Sequence, residues 1–419
     1  MADSQVQRGT RTLLNGRISK TFAALSFYNY RLWFLGQLTS LVGTWMQTTA
    51  QGFFVYELTG SPVYLGIVGF AAGVPSWFLM LYGGVIADRF PRRMLLLLTN
   101  FAQMIFAFAL TALVFTKLVE PWHIVLLALL SGIANAFDAP ARISFVREMV
   151  DREHMSNAIA MNSTMFQTAT VVGPAVAGIT YAAVGPAWCF AINGLSYIGV
   201  LTALWFMRIE KEETKRSTQS PLEDLKEGIH YALTHSLIRA MLLIAAVASI
   251  FGLAFVTLLP AWAADILGGD AATNGLLQSA RGMGALAGAL MIASLGNFKR
   301  KGALMTVGAF VFPVLLIVFS FVRNVPLALF VLVVMSWGFM LMFNLMNMLT
   351  QHLVDDKLRG RVMSLYTLTF FGGMPIGSLL AGASAEQFGE PITVLAGALV
   401  SLAFSIFVFW KIPQIRQLT

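Results

Sequence analysis

The side chains in this sequence that could do chemistry are few, and they are suited to pairing, binding and orienting rather than to breaking bonds. Asp88 and Arg89 stand with Arg92 and Arg93 in the run Gly84-Val85-Ile86-Ala87-Asp88-Arg89-Phe90-Pro91-Arg92-Arg93, between two apolar stretches. Asp138 stands four residues before Arg142, a spacing that puts opposite charges on one helix face. Carboxamides recur within apolar stretches as Gln47 and Gln51, Asn162 and Gln167, Gln278, and Asn344 and Asn347, with Arg281 three residues after Gln278. No Gly-Lys dipeptide occurs, so there is no phosphate-cradling P-loop. The lone cysteine, Cys189, has no partner for an internal disulfide, and no Cys/His spacing resembles a metal site. Neither an enzyme nor a metal or cofactor is expected.

The elements that must position these groups follow from composition. Of 419 residues 57% are hydrophobic and 11% charged, whereas a soluble protein carries about 25% charged residues. The chain therefore reads as all-α and integral to a membrane, with twelve spans near 32–56, 63–87, 94–115, 122–146, 158–183, 187–207, 240–263, 275–295, 303–322, 327–349, 362–385 and 391–410. All but three of the 28 Lys and Arg then fall on the side of the two tails and the even-to-odd loops; Lys117 and Arg323 lie opposite, and Arg281 lies inside span 8. That asymmetry predicts both termini in the cytoplasm of a multi-pass protein of the cytoplasmic membrane. The net charge of +8 is thus topological, and no nucleic-acid partner is expected. The first 31 residues are largely polar and carry five basic residues, which predicts no signal peptide and insertion directed by the first span.

Charges in the loop after span 2 are placed against the helix dipoles. Asp88 sits at the partially negative end of span 2, and Arg92 and Arg93 sit at the partially positive end of span 3. Such charges need partners on other helices. Asp138 and Arg142 lie at a similar depth, so the expectation is a charge cluster of Asp88, Arg92, Asp138 and Arg142 near the cytoplasmic face. Gln47 and Gln51 share a helix face that points away from lipid, either to hydrogen-bond between helices or to line a cavity. Arg281 has three readings: it snorkels outward, pairs with Asp265 or Asp270, or points into a central cavity and attracts an anionic or phenolic substrate.

The Gly84–Arg93 run resembles the signature loop between helices 2 and 3 of the major facilitator superfamily. Gly84, Ile86, Ala87, Asp88, Arg89, Arg92 and Arg93 fit the pattern, and Pro91 replaces its second glycine and is placed to start span 3. Gly173-Pro174-Ala175-Val176-Ala177-Gly178 resembles the span-5 motif of the antiporter branch, with Ala177 in place of a glycine. The stretch from Phe137 to Tyr197, with Gly36-Gln37-Leu38 and Tyr56 to Pro62, resembles the exporter group that contains the enterobactin exporter and the macrolide-efflux proteins.

The resemblance implies two pseudo-symmetric six-helix bundles. Residues 1–31 would be a cytoplasmic tail and interfacial helix, 32–207 the first bundle, 208–239 a cytoplasmic linker, 240–410 the second bundle and 411–419 a C-terminal tail. An internal repeat agrees: Val150-Asp151 returns as Val354-Asp355, Gly178 as Gly382 and Gly185 as Gly389, all at an offset of 204. The resemblance also implies that Asp88 faces the start of span 11, latching the bundles when the protein is open to the outside. The function implied is export of a small amphipathic molecule, a siderophore, drug or similar, by a monomer lodged in the lipid bilayer and powered by the proton gradient. A lipid flippase, an uptake permease and a non-transporting sensor compete with it. The cavity would be lined by spans 1, 4, 5, 7, 8, 10 and 11.

Overall fold

A computed structural model describes residues 22–208, 221–296, 298–356 and 358–418; for 80–89 and 221–226 it describes the backbone alone. Twelve long helices succeed one another: α1 Tyr28–Thr59, α2 Pro62–Arg89, α3 Arg92–Phe115, α4 Pro121–Phe145, α5 Met155–Val184, α6 Pro186–Phe206, α7 Ser236–Ile266, α8 Ala271–Leu295, α9 Lys301–Phe321, α10 Val325–Leu353, α11 Arg359–Phe388 and α12 Glu390–Lys411. Among the described residues ten of these are long and apolar enough to cross a membrane. The other two, α1 and α5, are diluted by the amides and hydroxyls of Gln37, Gln47 and Gln51 and of Asn162, Thr164 and Gln167. They pack on each other, with Gly173 of α5 against Trp45 and Val42 of α1. A helix that needs to face something other than lipid is free to be polar on that side.

Inside the first six helices, one buried cluster gathers Tyr30, Trp33, Phe145 and Leu204. A second gathers Met46, Phe54, Ile124 and Phe190 toward the other end. The last six hold two comparable clusters, one around Met241, Met346 and Tyr366 and one around Leu259, Trp262 and Phe319. Helix α7 crosses from one to the other and is widened into π turns at Ala248–Gly252 and Trp262–Ile266.

The largest contacts between the first six helices and the last six are made by two equivalent pairs, α2 on α11 and α5 on α8, with α7 and α8 also touching α1. Each crossing is paved with glycine. A Cβ on Gly66 would lie 2.7 Å from the Ser378 carbonyl oxygen, and one on Gly275 would lie 2.5 Å from that of Pro174. Gly178 and Gly382, repeat partners in the sequence, each meet the partner helix at such a crossing, on Gly275 and Gly66. Gly185 and Gly389 end α5 and α11 with φ of 90° and 81°, a left-handed region that side chains resist.

Several local expectations are corrected. The interfacial helix expected from Ser19 to Tyr30 falls partly outside the described residues; the described part is a 3-10 turn, Ala23–Ser26, with Phe27 extended before α1. That turn is held by the Asn157 side chain, which accepts from the Ala24 amide at 2.9 Å. Pro91 stands just before α3 rather than in its first turn, with its carbonyl accepting from Met94 at 2.9 Å. The segment expected to be a linker contains the helix Pro221–Thr234, and α7 starts at Ser236.

Candidate functional site

Between the two groups of six helices lies a cavity of about 740 Å³, running from Gly69 and Ser378 down to Arg142 and Ile143. It lies toward the end that carries Arg92, Arg93, Arg142 and the described end of the chain at Leu418, the basic end. A polar side chamber of about 400 Å³ adjoins it, lined by Gln47, Gln51, Gln103, Asn193, Tyr197 and Gln278. A third recess, of about 240 Å³, reaches Gln37, Asn100 and Asp138. Asn135 of α4 lines all three. The spaces are therefore compartments of one central cavity, and Asn135 is their shared wall. The floor contributed by α11, through Thr367, Phe371, Met374 and Pro375, is mostly apolar.

The amides divide by face. Gln47, Gln51 and Gln278 line the side chamber and Asn162 lines the main one. Gln47 accepts from Asn193 Nδ2 at 2.6 Å, and Thr44 bonds the Tyr197 hydroxyl at 3.2 Å. Gln167 does not join them. It is five residues beyond Asn162, more than a third of a turn off that face, and is buried with its Nε2 unpaired. Asn344 and Asn347 line none of these compartments, and α2, α3 and α6 contribute where α10 was expected. The cause is packing: α10 is wedged between α8 and α9 through Gly284 and Gly308, and Asn347 accepts from Gln351 at 2.7 Å.

Of the expected charge cluster, the three members with described side chains divide, Arg92 apart from the pair Asp138 and Arg142. Arg92 binds Glu148 at 2.6 Å, and Arg93 donates to the Trp205 carbonyl at 2.8 Å, which places a cation at the partially negative end of α6. Asp138 lies about two turns deeper, beside Thr99 and Asn100 of α3, which donate to its Oδ1 at 2.9 and 3.1 Å. Arg142 approaches its other oxygen at 3.5 Å. Gly84, Asp88 and Arg89 lie outside the residues whose side chains are described. Arg281 pairs with neither acid proposed for it: Asp265 accepts from Tyr56 and Asp270 caps α8 by accepting from Thr273. Its Nε donates to Gln278 at 3.2 Å, so only Gln278 reaches the cavity and the guanidinium stays behind it.

The whole of this architecture falls within one match. The model of the family described as transmembrane secretion effector matches residues 19–418. The chain belongs to that family of major facilitator transporters. Among curated relatives, the transporter is 24% identical to the staphyloferrin A transporter of Staphylococcus aureus, over 86% of this chain and 90% of that one. It is 27% identical to the enterobactin exporter of Shigella flexneri over 97% and 95%. With macrolide efflux protein A of Streptococcus pyogenes it shares 22% over 93% and 96%. A bacterial homologue of the human lysosomal transporter Spinster superposes with a TM-score of 0.71 at 14% identity, over 93% of this chain and 98% of that one, which shows the shared fold.

At the end away from the basic one, the transporter is closed. Tyr56 of α1 donates to Asp265 of α7, and Ser61, before α2, donates to Glu386 of α11 at 2.7 Å. Both bonds cross between the two groups of helices. Tyr181 of α5 donates to Glu57 of α1, within the first group. Among the described residues no Lys or Arg pairs with these carboxylates. Sequence reasoning passed over this set because its members are three hydroxyls and three acids at or near helix ends, ordinary one by one. It also passed over Asn135, Asn193 and Gln103, each a single amide in an apolar run.

Proposed function

We propose that this transporter exports a small amphipathic molecule across the cytoplasmic membrane by alternating access, as a monomer powered by the proton gradient. The observation that carries the reading is the cavity between the two groups of helices, extending toward one end and shut at the other by the α2–α11 and α5–α8 crossings. A site at the interface of two similar bundles, exposed to one side at a time, is what rocking transport requires. An apolar floor facing a wall of amides suits a molecule with one greasy and one polar side. The names of two relatives, the enterobactin exporter and macrolide efflux protein A, support the direction.

Inside-out vesicles containing the transporter should accumulate such a compound when their interior is acidified, and a protonophore should stop the accumulation. Accumulation only in right-side-out vesicles would make it an uptake permease, and binding without flux would make it a sensor. A reporter joined after Thr419 should be active only in its cytoplasmic form; a periplasmic signal there would overturn the orientation.

A further inference from the structure

Resting on the export reading above, we propose that Arg142 reads the substrate's charge, and that the cavity selects molecules bearing a planar pair of acidic oxygens, a carboxylate or a catechol, on an apolar body. Among the described residues lining the main chamber Arg142 is the only Lys or Arg. Its side chain is 26% exposed there. Only its Nε edge is engaged, by Asp138 Oδ2 at 3.5 Å. No acceptor among the described residues meets its two terminal nitrogens. These form the end of a planar fork whose spacing matches two oxygens of one acid group.

Asp138 serves as the mount. Thr99 and Asn100 fix its Oδ1, so it orients the guanidinium without covering its face. Two further polar groups converge. Asn135, two turns earlier on the same face of α4, is exposed in the cavity with no hydrogen-bond partner among the described residues. Asn162 spends its Oδ1 on the Tyr30 hydroxyl at 3.1 Å, which leaves its Nδ2 as a donor. The body of the ligand has Phe166 and Phe371 to rest on, exposed by 45% and 49% within the same chamber. Arg281, the cation set inside α8, stands behind Gln278 and does not share this geometry.

The test uses the full transporter in lipid nanodiscs and three naphthalene probes: 2-naphthoate, 2,3-dihydroxynaphthalene and the neutral 2-naphthamide. Binding is followed by quenching of tryptophan fluorescence, for which Trp33 lines the chamber. The quantity read is the affinity for each acidic probe relative to the amide. Arg142→Gln should lower that ratio about tenfold or more, the scale of a charge-assisted pair of hydrogen bonds, and Arg142→Lys should lower it less. Asp138→Asn should raise it, because the guanidinium loses its competing anion. A fall confined to naphthoate assigns the class to carboxylates, and one confined to the diol assigns it to catechols. A ratio unmoved by Arg142→Gln, or moved the same way by both Arg142→Gln and Asp138→Asn, overturns the proposal, as does failure of all three probes to bind the unaltered protein. Efflux in the vesicle assay is scored separately, so the export reading stands or falls apart from Arg142.

Discussion

Gly275→Leu leaves a folded, inserted protein that no longer transports, whereas Gly284→Leu leaves little folded protein at all. The two glycines lie on the same helix, and each faces a backbone oxygen: a Cβ would sit 2.5 Å from Pro174 O at Gly275 and 2.1 Å from Val333 O at Gly284. Inserting side-chain atoms into close packing costs about 1–3 kcal/mol when neighbours can shift. What separates them is which neighbours can. Gly275 meets α5, across the boundary that the proposed rocking would part, so strain there is relieved by opening that end. Gly284 meets α10, inside one bundle, where relief means losing the core. Cys189 is fully buried, so a cysteine introduced at Ala272, beside Gly178 in the α5–α8 crossing, is a clean reporter. In the Gly275→Leu background it should be labelled rapidly by a membrane-impermeant maleimide, with transport absent and thermal unfolding cooperative. Normal transport in that variant would remove the requirement that the α5–α8 crossing close.

The second large effect is on the balance between states. Tyr56→Phe removes one hydrogen bond to a carboxylate that joins the bundles at the closed end, and Ser61→Ala removes another. Hydrogen bonds to charged groups contribute about 1.5–3 kcal/mol each, so the double variant should shift the equilibrium toward opening at that end by roughly tenfold or more. Labelling of a cysteine placed at Ala272 reads that shift. Tyr181→Phe is the control: it removes a bond of the same kind to Glu57, but both partners belong to the first six helices. A shift of equal size in Tyr181→Phe would mean that the hydroxyls act by general loosening, not by joining the bundles.

Much of the scaffold was legible because a bilayer demands long apolar runs. The helices agree with the predicted spans to within a few residues, and the glycine repeat pointed to the two crossings that now carry Gly178 and Gly382. The site was harder to read. Arg92 finds Glu148 on a 3-10 turn 56 residues away, a pairing that no spacing along one helix reveals. Asn344 and Asn347 share the chemistry of Gln47 and Gln278 and lie equally deep in apolar runs, yet α10 turns them elsewhere. Polarity inside a span says that a side chain avoids lipid, and it leaves open whether it faces a cavity or another helix. Arg281 stands back from the cavity for the same reason, since burial behind one glutamine is a matter of helix rotation.

The π turns of α7 bear on how the closed end comes apart. Ala248–Gly252 marks the passage of α7 from one hydrophobic cluster of the last six helices to the next, and Trp262–Ile266 carries Asp265. A π turn holds one residue more than an α turn. Handing its hydrogen bonds along by a single residue turns the chain beyond it by about 100° and advances it about 1.5 Å. Asp265 can thus be swung off Tyr56 by a corkscrew step within one helix, while the lower part of α7 stays seated. Under the proposed mechanism, release at the mouth becomes separable from the rocking of the bundles, a sluice ahead of the main gate.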